Sequence, residues 1–459
     1  MKSRTLLHLS DIHFKYRTSN TNYDLDDVIR HELERDATTK SAELGGTDAV
    51  IVCGDVAFGA VEQEYDIAYE WLQKLGDKVK SPDRPIQIWT VPGNHDIDWK
   101  KIEGNRNAER LRSQLRDSDV KDFNRELRKT LDDLNDRQTL LDPLEQYNIF
   151  ANKLGCASGA DPLYWEQPLL LNDGSTLRVR GLNSTIISAR ADDDQQEKTK
   201  LVLSSYQTKF FREDDIVFMT VCHHPLDWLK DRNDVDDWLN QHARIQLFGH
   251  RHIQRVTPIH DNLRIASGAV HPVREEPGWE PRYNFISIDV RFEQNRRWLH
   301  VEVHPRIWND TSKQFVADNL GVQSRDLPLP ARQPSSTAGR SGSELTNTET
   351  VASVLSAIEP DLLDVQYVQS GAEVRILNAG QRLTSRYLSL PHNLQMEIAK
   401  KLGLQEEEED KDLADTELYR RYFKRAKDKR LLEQFWSEVE IQYAQRGEEH
   451  FEENPFVGR

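Results

Sequence analysis

Cysteine is scarce in this chain: three residues in 459, Cys53, Cys156 and Cys222. Three thiols cannot build the disulfide framework of a small secreted scaffold, and Cys53 and Cys222 lie in apolar runs where cysteine packs as a small hydrophobe. Long apolar runs are missing too. No segment approaches the ~20 consecutive apolar residues of a membrane span, so no membrane partner is expected. The opening residues form a β-like run, not a charged-then-apolar leader, so a cytoplasmic location is expected. An excess of positive charge is also absent: 61 Lys and Arg stand against 77 Asp and Glu, a net charge of −16. That balance excludes a protein that coats nucleic acid by overall charge, while leaving a local basic groove or bound cations as routes to it.

What remains is a polar but globular composition, 37% hydrophobic and 30% charged, in a chain longer than one core usually organises. A large domain and a smaller one are expected. Short β-branched runs at Thr5 to Leu9, Ala49 to Cys53, Ile86 to Val91, Leu177 to Leu182, Ile216 to Cys222 and Arg244 to Phe248 predict buried strands. Helical spacing of apolar residues intervenes at Leu25 to Arg35, Val61 to Leu75 and Val235 to His242. Such alternation predicts an α/β domain, and further strand-like runs at Leu263 to Ala266, Phe285 to Val290 and Leu299 to Val303 suggest a sandwich of two sheets.

A charged, helix-favouring stretch, Asn107 to Leu141 followed by Pro143 to Leu154, predicts a helical insertion over about 98–173. The catalytic domain is drawn at 1–317. A linker at 318–349 follows, because Asp326 to Thr350 is rich in Pro, Ser, Thr, Gly and Arg. Residues 350–459 are expected to form a mainly helical domain, with helices at 350–358, Pro391 to Leu402, Leu413 to Lys427 and Lys429 to Ala444, and a strand-like piece at Val374 to Leu377. In it, Leu418, Tyr422, Leu431, Leu432, Phe435 and Val439 suit a helical core.

Chemistry-bearing residues gather where the predicted strands end. Asp11 and His13 follow the first strand, where alternation places both on one side. Gly54-Asp55 follows the second, the glycine permitting a tight turn beneath a projecting carboxylate. Pro92-Gly93-Asn94-His95-Asp96 follows the third, presenting amide, imidazole and carboxylate in succession. His223-His224-Pro225 and Gly249-His250-Arg251-His252 follow two later strands. Each block alone is equally an ordinary turn with polar residues. Together they converge, because open α/β sheets place their sites at the carboxyl ends of strands. Nitrogen and oxygen donors without thiolate suit Mn, Fe, Zn, Co or Ni and suit Ca poorly.

These five blocks, in this order, resemble the calcineurin-like metallophosphoesterase superfamily, and most of all its bacterial class III cyclic-nucleotide-type phosphodiesterases. The resemblance covers about Thr5 to Val303. It implies a four-layer αββα sandwich of two mixed sheets with a dinuclear metal centre. By it, Asp11, His13 and His252 hold one ion, Asn94, His223 and His250 the other, and Asp55 bridges, with manganese the expected metal. It also implies attack on phosphorus by a hydroxide shared between the ions. His95, oriented by Asp96, then serves the leaving oxygen, and His224 contacts substrate or supports the ligands.

The expected activity is hydrolysis of a nucleotide or nucleic-acid phosphodiester. The alternatives are a nuclease of a bacterial antiphage system, a protein or small-molecule phosphomonoesterase, and an interaction scaffold. Arg106, Arg110, Arg112 and Arg116 of the insertion either face phosphate or form a solvated helix face. Leu390 to Leu404 resembles small helical adaptor modules fused to bacterial conflict-system enzymes, which implies a protein partner or self-association.

Overall fold

The computed structural model describes residues 3–16, 25–159, 162–190, 199–210, 213, 215–271, 280–294 and 296–331, then Leu383, Tyr387, Leu390, 392–405, 415–445, Asn454 and Phe456. The chain divides into two compact units, Met1–Ser335 and Ser336–Arg459. The predicted helix at 350–358 and the strand-like piece at Val374 to Leu377 lie outside the described residues.

In the first unit the elements run β1 (Arg4–Leu9), α1 (Leu25–Glu43), β2 (Ala49–Val52), α2 (Glu62–Val79), β3 (Gln87–Thr90), α3 (Arg106–Asp117), α4 (Val120–Asp132), α5 (Leu134–Leu141), α6 (Glu145–Lys153), β4 (Tyr164–Leu170) and β5 (Thr176–Leu182). They continue as α7 (Ser205–Thr208), β6 (Ile216–Cys222), α8 (Arg232–His242), β7 (Ala243–Phe248), β8 (Arg255–Ile259), β9 (Asn262–Ala266), β10 (Arg282–Glu293), β11 (Arg296–Asn309), β12 (Gln314–Ala317) and β13 (Gln323–Leu329).

One sheet has the order β12-β11-β10-β1-β2-β3, with β13 also on β11, and the other β4-β5-β6-β7-β9-β8. Both are mixed: β1, β2 and β3 are parallel while β10 is antiparallel to β1. In the second sheet β5, β6, β7 and β9 are parallel, with antiparallel edge strands β4 and β8. The central strands are buried on both faces: β2 is an unbroken apolar run, and every residue of β1 is buried. Leu7, Val50 and Ile286 of one sheet share a core with Val179, Val221 and Leu247 of the other, so the sheets pack face to face. Helix α2 turns Tyr65, Ala68, Leu72, Leu75 and Val79 inward at helical spacing and covers the first sheet. Leu239 of α8 joins Phe218 and Cys222 on the outer face of the second sheet, completing a four-layer αββα sandwich.

Two boundaries differ from the sequence reading. The stretch expected as a linker from residue 318 contains β13, whose Leu327 and Leu329 are buried against β11. Pro328 and Pro330 made that segment look unstructured, but an edge strand tolerates proline because only one side of it is hydrogen-bonded. The expected insertion at 98–173 likewise ends in β4, an edge strand. Its helices form no separate lobe. Leu115, Phe123, Leu127 and Leu140 of α3 to α5 bury in the same cluster as Phe218 and Leu239, while Tyr147 and Phe150 of α6 join the core beneath α2. Arg112 is buried and donates to the carbonyls of Ile186, Ser188 and Leu140, so its charge serves packing. Arg110 instead bonds Asn107 and Gln114 at the surface, and Arg116 donates to the Ile187 carbonyl.

The second unit contains α9 (His392–Lys401), α10 (Asp415–Asp428) and α11 (Leu432–Gln445). Leu418, Tyr422, Phe435 and Val439 are buried in its core, with Leu431 and Leu432 packed against it. All three cysteines of the chain are buried and free.

Candidate metal centre

The loops that follow β1, β2, β3, β6 and β7 meet at one edge of the sandwich. Backbone bonds zip the first two loops together: the amides of Ile12 and His13 donate to the Asp55 carbonyl and that of Phe14 to Val56. Asp11 and His13 lie beyond the end of β1, so strand alternation is not what orients them. Both have left-handed backbones, with φ of 53° and 51°, and so do Asp55 (53°), His250 (66°) and His252 (56°). Side chains rarely adopt this region, and it clusters where a site over-determines the backbone. Two glycines permit the close approach. A Cβ on Gly54 would lie 2.4 Å from His223 Nδ1, and one on Gly93 would lie 2.1 Å from Asp55 Oδ1.

Ligand-type atoms converge in this space. His13 Nε2 is 3.1 Å from Asp55 Oδ2, and His223 Nε2 is 3.4 Å from the same oxygen. His223 Nε2 is also 3.1 Å from Asn94 Oδ1 and 3.3 Å from His250 Nδ1. On the far side, His252 Nε2 is 3.4 Å from Asp11 Oδ1. Two donors each about 2.1 Å from one ion are separated by roughly 3.0 to 3.4 Å. All seven expected ligands are therefore brought into one cluster at suitable spacing. His223 Nδ1–H donates to the Cys53 carbonyl at 2.7 Å, so in the neutral ring Nε2 carries a lone pair. Nε2 faces the oxygens of Asn94 and Asp55, a position that either a proton or a metal cation fills. Asp11 Oδ1 is buried without a hydrogen bond, a second acceptor in need of positive charge.

Charge states agree with this. Burial alone would raise the Asp55 carboxyl, yet His223 and His95, helped by the His13 hydrogen bond, hold it well below the usual range. Burial opposes ionisation of Asp11 as well, but His252 and His223 hold its carboxyl down at about 2. His223 is raised to about 9 against the cost of burial, because Asp55 and Asp11 draw a proton onto it. Burial and neighbouring imidazoles keep His224 and His250 neutral at physiological pH, the latter at about 3. Two buried carboxylates thus recruit positive charge, and the donor set fits a pair of divalent ions.

The remaining residues depart from expectation in one respect. Asp96 does not orient His95. Its carboxylate accepts from the amides of Val56, Ala57 and Gly93 and from the Tyr65 hydroxyl, locking the third loop against the second. His95 is held elsewhere: Nδ1–H donates to the Phe58 carbonyl at 3.0 Å, and the Phe58 ring stacks on the imidazole at a centroid distance of 5.4 Å. That bond leaves Nε2 as the ring nitrogen turned away from the Phe58 carbonyl. Phe58 was missed from the sequence because its contribution is a backbone carbonyl. His224 is fully buried, with Nδ1 2.8 Å from Ser184 Oγ and Nε2 unpaired, and it groups with His223 and His250.

Comparison with known proteins places the chain in a class. The model of the calcineurin-like phosphoesterase family matches residues 4–254, and the chain belongs to that family. It is a family of metal-dependent phosphoric ester hydrolases. A second family model, the GTPase-associated adaptor domain, matches residues 380–441. No curated protein matches the chain. Among solved structures it is similar to a putative 5'-nucleotidase from Staphylococcus aureus in complex with alpha-ketoglutarate, at 13% identity over 74% of this chain and 56% of that one, with a TM-score of 0.33. It is also similar to Vps29 complexed with zinc from Entamoeba histolytica, at 8% identity over 71% and 98%, with a TM-score of 0.28. A predicted phosphoesterase from Streptococcus pneumoniae matches at 12% identity over 71% and 99%, with a TM-score of 0.26.

Proposed function

We propose that the chain is a phosphodiesterase with a dinuclear centre, acting on a nucleotide or nucleic-acid phosphodiester. The observation that carries this reading is the shared oxygen: Asp55 Oδ2 lies within 3.4 Å of imidazole nitrogens from two different loops. Asp11, His13 and His252 would hold one ion and Asn94, His223 and His250 the other, with Asp55 between them. Ions bound there supply Lewis-acid stabilisation of the phosphoryl oxygens and a nucleophile at neutral pH. The family resemblance favours manganese, and a nitrogen and oxygen donor set without thiolate equally suits iron, zinc, cobalt or nickel.

The chain's own groups supply the rest. With Nδ1–H committed to the Phe58 carbonyl, His95 presents Nε2 to the leaving oxygen, where its proton can be delivered. Asp96 acts as a positioning residue for the Asn94-His95 turn. Neutral, buried His224 lies against the His250 ring at 4.6 Å and supports it. Residues 350–459 would recruit a protein partner or a second copy, a reading supported by the adaptor-domain match.

The manganese-loaded protein should hydrolyse a generic aryl phosphodiester faster than the corresponding monoester. A screen with cyclic nucleotides and single- and double-stranded DNA and RNA then ranks substrates. Preference for the monoester would turn the assignment to a phosphatase, and inactivity with every metal would sink it. His95→Ala should slow an alkyl-leaving-group diester by about 10²-fold or more while sparing a nitrophenyl ester, whose leaving group needs no proton. Equal losses on both esters, with metal content unchanged, would remove His95 from that role.

A further inference from the structure

Beside the centre lies a cavity of about 500 Å³, walled by the segments that follow β6 and β7 and by β8 and β9. It adjoins the ligand loops directly in the chain: Pro225 follows His224, and Arg251 separates His250 from His252. Four guanidinium groups line it, those of Arg232, Arg251, Arg255 and Arg264, against the two carboxylates of Asp227 and Asp236. Arg251 pairs with Asp227 and Arg264 with Asp236. Arg232 and Arg255 are exposed, and among the described residues neither has an ion-pair partner. In a chain of net charge −16, a cavity with two uncompensated arginines beside a phosphoester centre is a local reversal of sign.

Resting on the phosphodiesterase reading above, we propose that this cavity binds the nucleotide next to the scissile phosphate of a single-stranded nucleic acid, with Arg232 and Arg255 contacting its phosphate. Three features select that ligand. A cavity of this volume falls in the range that holds one nucleotide-sized group. The cationic groups are all arginine, whose planar fork matches phosphate oxygens in pairs. The wall also carries apolar surface, including Ile253 at 64% exposure, on which a base or sugar can rest. Strand binding is a property of the substrate class, separable from the chemistry.

The test uses the full chain, stripped of metal with a chelator so that no hydrolysis occurs, and a short fluorescein-labelled single-stranded oligodeoxynucleotide followed by anisotropy across a salt series. Wild type should bind. Arg232→Glu with Arg255→Glu should weaken binding at least about tenfold and flatten the logarithmic salt dependence by roughly 0.7, the value for the one phosphate that is no longer neutralised. Arg232→Lys with Arg255→Lys should keep most of the salt dependence, since the charges remain. Arg232→Ala with Arg255→Ala serves if the reversal lowers the melting temperature. Unchanged affinity and slope in the reversed variant, or no binding by wild type, would overturn the proposal. So would equally tight, arginine-dependent binding of a polyglutamate peptide, which would assign the cavity to an acidic protein. A groove that fails while the manganese-loaded enzyme still cleaves an aryl diester leaves the phosphodiesterase reading intact. Arginine-dependent strand binding without hydrolysis of any diester upholds the groove and removes the reaction.

Discussion

Asp11, His13, Asp55, His250 and His252 share a backbone conformation that L-residues avoid, at φ values between 51° and 66°. Each costs of order 1 kcal/mol or more, and the conformation aims side chains that no strand could aim. The strain should be measurable apart from the chemistry. His252 is the residue for this, since its side chain is 20% exposed and its loss opens little cavity. With metal removed, His252→Gly should be more stable than His252→Ala by about 1 kcal/mol, read from paired denaturation curves. Equal stabilities would mean that this backbone position is not strained in solution. The His95 and Asp96 pair belongs to the same scale. Adjacent residues of one motif have separate tasks, because four buried donors already satisfy the Asp96 carboxylate.

Elements matter through what their ends bind. Helix α3 stops at Asp117, and its last carbonyls point at Lys230, whose ammonium donates to the carbonyls of Leu115, Arg116 and Ser118. A cation at a helix C-terminus satisfies orphan acceptors and complements the dipole. Lys230 also lies six residues beyond His224, so it ties α3 to the loop that carries two histidines of the centre. Lys230→Met should destabilise the protein by about 2 kcal/mol, measured by denaturant titration. Full stability in that variant would show that water caps α3 as well. Edge strands make the complementary point. β13 adds seven registered pairs to β11 although its prolines suggest a linker, because its Leu327 and Leu329 find a buried face.

The whole molecule concentrates opposite charges at one edge. Asp11 and Asp55 are buried side by side in a chain already carrying 16 excess negative charges. Removing metal should therefore lower the melting temperature. Manganese at about 100 times its dissociation constant should restore roughly 2.7 kcal/mol of stability. Asp55→Asn should abolish that response, since the shared oxygen then lacks its charge. A chelator-insensitive melting curve in wild type would count against a resident metal pair.

Most of the sandwich was legible in the chain. β1, β2, β6 and β7 are buried along nearly all of their length, so apolar residues predominate in them, and the motif residues sit where those strands end. The edge strands β4, β8, β12 and β13 were not legible. Half-exposed strands carry mixed residues, and their pairing is decided by partners distant in sequence. The same division holds at the site. Residue types and order singled out Asp11, His13, Asp55, Asn94, His223, His250 and His252 as candidate ligands, and the fold brings their donor atoms together. The hold of Phe58 on His95, the task of Asp96 and the arginine-lined cavity were decided only by the tertiary structure. A backbone carbonyl has no sequence signature, and the four arginines become neighbours only when β6, β7, β8 and β9 assemble.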